Sequence, residues 1–177
     1  RDFCLSRGLG DVYKRQLWRF GAYDADSRDF DLIAFNAPFY LGVTAAGNDR
    51  NEFNNTLYAN FLSNKGGYNL IRNMQAAKNF LTVGAVDQVL NYSGPSSVVM
   101  SDFSSWGPTD DGRIKPEIVT KGTSVRSTTS LNDTSSGLSQ GTSMASPGIA
   151  GTALLLQQYY CLLYTSPEPT RQAEISY

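Results

Sequence analysis

Histidine is absent from all 177 residues. A hydrolase that works through a serine, a histidine and an aspartate needs an imidazole to take the proton from the serine hydroxyl, and this chain has none to offer. Cysteine is nearly absent: Cys4 and Cys161 lie near opposite ends, so disulfides do not define the interior. An excess of one charge is also missing. The 15 basic and 16 acidic residues leave a net charge of −1, with neither the basic footprint of a nucleic-acid binder nor a polybasic membrane patch. No apolar run reaches membrane-spanning length, and Arg1-Asp2-Phe3-Cys4 has no signal-peptide layout. Nucleic acid and membrane are therefore not expected partners. Internal repeats and metal-ligand clusters are lacking as well, so no cofactor is identified. The pair Asp110-Asp111 reads as a solvated polar turn ahead of Gly112-Arg113 rather than a cation site.

What is present describes a folded domain. Hydrophobic residues make up 41% and charged residues 18%, the balance of an ordinary globular protein. The stretches 1–16 and 161–177 have no clear periodicity or apolar face and resemble translated sequencing-adapter read-through. We expect them to be non-native flanks without function, and 17–160 to be the native part.

Within 17–160 the pattern alternates between helix and strand. Asp29 to Ala37 has apolar residues at helical spacing, with Phe30, Ile33 and Ala34 expected to face inward. Phe39 to Ala46 reads as a strand buried on both faces, stopped by Gly47-Asn48-Asp49. Residues 49–77 form a polar excursion, and Leu81 to Val86 is a second buried strand. Lys115 to Val119 begins another short strand, and Ser124 to Gln140 is an irregular loop or hairpin. A helix from about Ser143 to Tyr160 follows. Its apolar residues, Ile149, Ala150 and Ala153 to Leu156, cover all sides, which predicts a central, buried helix. This order implies an α/β fold with a parallel sheet.

The chemistry concentrates at the start of that last helix. Gly141-Thr142-Ser143-Met144-Ala145-Ser146-Pro147 places a serine where unpaired N–H groups and the helix dipole favour a developing oxyanion. Alone, Gly-Thr-Ser would read as a helix cap. The whole heptad resembles the active-serine motif of the subtilisin-like serine proteases, the subtilases. Ala45-Ala46-Gly47-Asn48 resembles the family's segment with the oxyanion-hole asparagine, and Leu81 to Asp87 the strand after it. The segments Phe103 to Pro108 and Asp110 to Ile118 also resemble a stretch shared by many bacterial members.

The resemblance implies a doubly wound, mostly parallel sheet with helices on both faces, here incomplete. It implies Ser143 as the nucleophile and Asn48 as an oxyanion donor beside the Ser143 N–H. Ala45, Ala46, Gly47 and Thr142 are the substrate-binding candidates, and the substrate class is polypeptide. It further implies an extracellular or cell-envelope location, and leaves calcium as a ligand of full-length members. Gly148 departs from the histidine that many members carry after the motif's proline, a position that is not the catalytic histidine. The family's catalytic aspartate and histidine precede the asparagine segment by a long stretch. Asp24 and Asp26 match no such motif, so we expect a C-terminal portion that is inactive alone. A non-catalytic pseudoprotease or binding domain of the same fold is the alternative. A Gly-x-Ser-x-Gly elbow is excluded by Ala145. Absent N-terminal strands would leave a sheet edge and part of the core uncovered, with marginal stability and aggregation as the expected result.

Overall fold

The computed structural model describes residues 17–37, 39–51 and 56–165. The expected foreign flank 1–16, and the part of the other from 166 to 177, lie outside the described residues.

The elements, in order, are α1 (Ala25–Asn36), β1 (Gly42–Ala45), α2 (Thr56–Asn64), β2 (Phe80–Val86), β3 (Ile118–Lys121), β4 (Val125–Thr128), β5 (Ser136–Ser139) and α3 (Thr142–Thr165), with short 3-10 turns between them. Strands β1, β2 and β3 form a parallel sheet in that order, with Gly42 opposite Phe80 and Val83 opposite Ile118. Strands β4 and β5 pair antiparallel, so the Ser/Thr-rich segment is a hairpin. Because side chains alternate along a strand, β2 serves both faces of the sheet. Val83 and Ala85 pack with Phe103, Ala145 and Ile149 under α3. Phe80 faces the other way and takes the edge of the Phe30 ring from α1 at 5.2 Å. Helices therefore cover both faces of a parallel sheet, the doubly wound α/β arrangement.

Three expectations need correction. The strand begins at Gly42 and not at Phe39: the Tyr40 N–H donates to the Ala37 carbonyl at 2.8 Å, and this turn keeps residues 39–41 out of the ladder. Phe39, Tyr40 and Leu41 are exposed, beside a groove they share with Val43 and Leu154. The last helix is not centrally buried. Ala145 and Ile149 are covered by the sheet, but Leu154 to Leu156, Tyr159 and Tyr160 are exposed, because no described element lies over that half. It also runs through 161–165, into the stretch expected to be foreign.

The third correction concerns α1, which starts at Ala25. Asp24 caps it by accepting from the Ser27 N–H at 3.1 Å, and Arg19 pairs with both Asp24 and Asp26. Its inward stripe is partly polar: Ser27 and Asp31 are buried, whereas Ile33 is half exposed. Asp31 accepts from the backbone N–H groups of Lys78 at 2.9 Å and Asn79 at 2.7 Å and from the Tyr23 hydroxyl at 2.7 Å. A carboxylate is the right group there because the turn entering β2 has N–H donors that no ladder partner satisfies. Lys115 is the matching cation on that side. Its buried ammonium donates to the carbonyls of Ala77 at 2.8 Å and Phe80 at 3.2 Å and pairs with Glu117.

Burial alone would raise the Asp31 pKa, but the bonds from Lys78, Tyr23 and Asn79, with the nearby Arg113 charge, hold it below its ordinary 3.8. A depressed folded-state pKa contributes stability above the unfolded value and loses it as pH falls through the folded one. Asp31→Asn is therefore expected to lower neutral-pH stability by about 1–3 kcal/mol. It should also flatten the loss of stability below about pH 4. Urea unfolding across that range measures both, and an unchanged acid limb would contradict the assignment.

Candidate active site

Asn48 and Thr142, the residue before Ser143, are far apart in sequence and bond to each other past the carboxyl ends of the parallel strands. Asn48 lies just past the end of β1, after Gly47, whose φ of +106° takes the chain through a turn that favours glycine. An added Cβ at Gly47 would stand 2.8 Å from Asp49 Oδ2, so the position needs glycine for space as well. Past β3, the Gly122 N–H donates to the Val86 carbonyl at 3.0 Å, and Gly141 N–H to the Gly122 carbonyl at 2.8 Å. An added Cβ at Gly122 would meet Ala85 Cβ at 2.5 Å. This close backbone approach fixes where α3 begins, and Ala145 and Ile149 then plant its first turns on β2.

Thr142 joins the two halves. Its N–H donates to Asn48 Oδ1 at 2.9 Å, its hydroxyl donates to the same oxygen at 3.0 Å, and that hydroxyl accepts from the Gly47 N–H at 3.1 Å. Two donors facing Asn48 require its carboxamide oxygen on that side, so the Nδ2 amide is left to donate elsewhere. Ser143 follows at once and is exposed. Its backbone N–H belongs to the first turn of α3, where no intrahelical acceptor exists. Pro147 contributes in a way its sequence position alone did not reveal: lacking an N–H, it leaves the Ser143 carbonyl without its usual i+4 donor. The arrangement offers a serine hydroxyl and two kinds of N–H donor at a helix N-terminus, with no imidazole to act as base.

The other candidates separate. Ala45 is half-buried at the end of β1, and Gly47 carries the turn. Ala46 is fully buried with Ile71 and Ala76, and its N–H donates to the Val83 carbonyl at 2.9 Å. Its methyl lines the core, since neighbouring residues of an extended chain face opposite sides. Thr142 is 1% exposed, and its hydroxyl bonds to Asn48 and Gly47. At the Asp110 turn, Asp111 accepts from the Thr109 hydroxyl at 2.6 Å and from Arg113 Nε, and it is occupied within the turn. Among the described residues no cluster suited to a metal ion occurs, and no helix is long and apolar enough to cross a membrane.

The fold class and the serine-bearing helix opposite an asparagine turn define an α/β hydrolytic architecture of the subtilisin type. The subtilase family model matches residues 3–176, and the chain belongs to that family. C5a peptidase of Streptococcus pyogenes serotype M18 (strain MGAS8232) is 37% identical over 118 residues, a match covering 67% of this chain and 10% of that protein. The PII-type proteinase of Lactococcus lactis subsp. cremoris is 46% identical over 59 residues, 33% of this chain and 3% of that one. The chain thus spans about a tenth or less of the length of these curated relatives. Among solved structures, the patellamide maturation protease PatA superposes with a TM-score of 0.55 at 24% identity, over 86% of this chain and 44% of that one.

The Thr142 hydroxyl is buried between a donor and an acceptor, so Thr142→Val, which keeps the shape and removes the oxygen, is expected to cost about 1–3 kcal/mol. Thr142→Ser should cost less, since it keeps both bonds. Chemical denaturation of the two variants distinguishes them, and equal losses would contradict this role.

Proposed function

We propose that this chain is the serine-bearing portion of a subtilase endopeptidase that cleaves polypeptides by acyl transfer to Ser143. The observation that carries the reading is the double donation from Thr142, the residue before Ser143, to Asn48 Oδ1, which leaves the Asn48 amide as the donor end of that side chain. In the reaction, Ser143 Oγ attacks the scissile carbonyl. Asn48 Nδ2–H and the Ser143 N–H receive the oxyanion; the C–N bond then breaks, the amine leaves with the proton taken from Ser143, and water hydrolyses the acyl-enzyme to release the acid and restore the Ser143 hydroxyl. Ala45 and Gly47 border the side chain of the residue being cleaved after, where their small size leaves room for a large apolar group. The proton acceptor is a histidine supplied from outside this sequence, with its aspartate. The full-length enzyme works outside the cell or at the cell envelope, as the family resemblance suggests.

Without that histidine the 177-residue chain is inactive. Loss of the histidine alone lowers turnover about 10⁶-fold in subtilisin, a measured relative rather than a value obtained for this chain. The test is peptidase assay and fluorophosphonate labelling of the chain alone and of a form extended upstream through its own reading frame to include a histidine. We expect no peptide cleavage by the chain alone, and labelling at Ser143 in the extended form that Ser143→Ala abolishes. Cleavage by the isolated chain, or labelling that survives Ser143→Ala, would refute the proposal.

A further inference from the structure

The chain on either side of Asn48 is bonded to one residue, Ser105. The Ser105 N–H donates to the Gly47 carbonyl at 2.9 Å, and Ser105 Oγ accepts from the Asp49 N–H at 3.1 Å. Ser105 is fully buried, so water does not stand in for either bond. Its own hydroxyl proton is directed at Asp49 Oδ2, 3.4 Å away, which leaves the oxygen's lone pairs facing the Asp49 N–H. The Asp49 side chain is only 6% exposed, and its Oδ1 accepts from Arg72 Nη2 at 2.9 Å. The Arg72 guanidinium lies over the Phe20 ring at 4.9 Å. A buried ion pair is a costly way to hold two loops together, since well-packed apolar groups often serve as well or better. An ion pair does differ in one respect: it fixes direction. Here it sets the Ser105 hydroxyl, and Ser105 sets the backbone on both sides of Asn48.

We propose that Ser105, oriented by the Asp49–Arg72 pair, is a positioning residue for the Asn48 amide. The proposal rests on the reading of Asn48 as oxyanion donor. Thr142 grips the carboxamide from one side, but that grip directs Nδ2 only if the backbone beneath it is fixed. With residues 47 and 49 both tied to Ser105, Asn48 is held at its base and at its tip. If Ser105 Oγ is lost, the Asp49 N–H is freed, residue 48 gains rotational freedom, and the Thr142 bonds no longer aim the amide. None of these three residues touches the reacting atoms, so their effect is transmitted wholly through Asn48.

The through-hydrogen-bond scalar coupling between the Thr142 amide nitrogen and the Asn48 carboxamide carbon measures this directly in the isotopically labelled 177-residue chain. It should be present in the parent protein and fall by at least half in both Ser105→Ala and Asp49→Asn. Amide-exchange protection of Val83 and Ala85 in β2 should persist in the folded variants. A merely structural role would lower that protection and leave the coupling of the folded population unchanged. Parent-level coupling in both variants overturns the proposal. If Ser105→Ala does not fold, the milder Asp49→Asn decides by the same criterion. A coupling that falls as expected, in a histidine-bearing form whose Ser143 never acylates, would remove the peptidase reading and leave the positioning intact. Retained coupling with normal acylation would do the reverse.

Discussion

One carboxamide oxygen carries the site. Asn48 Oδ1 takes two hydrogen bonds from Thr142, and through that atom a turn after the first strand is locked to the start of the last helix. The interaction is anchored on its inner side: Thr142 is buried, and its hydroxyl and N–H both turn to the one oxygen of the exposed Asn48. It is directional because an amide has one acceptor end and one donor end. Once the acceptor end is occupied, the donor end has a determined orientation.

The rest of the fold serves to bring those partners together. Parallel pairing of β1, β2 and β3 aligns their carboxyl ends, which is where open α/β sheets place their sites. Gly122 lets the chain pass against Ala85 and deliver Gly141 to the right level, and Ala145 and Ile149 then seat the helix. The opposite face is built differently. Asp31 and Lys115 satisfy backbone donors and carbonyls around the entrance to β2, so polar groups there do the work that apolar packing does under α3. The exposed Phe39, Tyr40 and Leu41 and the outer half of α3 form apolar surface that no described element covers.

Much of this was legible in the sequence, for identifiable reasons. Buried β2 announced itself because a continuous apolar run bounded by polar residues has few other uses. The family was legible in the motifs around Ser143 and Asn48 because such motifs fix residue types at close spacing, whatever the tertiary context. Burial was read less well. Leu154 to Leu156 look like core by composition, yet what covers a helix is a property of its neighbours and not of its own residues. The polar stripe of α1 was missed for a related reason. Asp31 is inward because distant N–H groups at 78–79 need an acceptor, and no local periodicity encodes that need. The same holds for the Thr142 hydroxyl, whose bonds to Asn48 and Gly47 no local pattern encodes. Ser105 lay within a segment recognised for its resemblance alone, with nothing nearby to link it to Asn48.

The most direct test of the central claim is turnover by the histidine-bearing protease carrying Asn48→Asp. Aspartate accepts both Thr142 bonds and keeps the shape, but it has no Nδ2–H to donate. Loss of one oxyanion donor lowers turnover about 10²- to 10³-fold, a magnitude known from the oxyanion-hole asparagine of subtilisin. A loss of that order with the fold intact is the predicted result. Turnover equal to that of the parent enzyme would contradict the assignment of Asn48 as the donor.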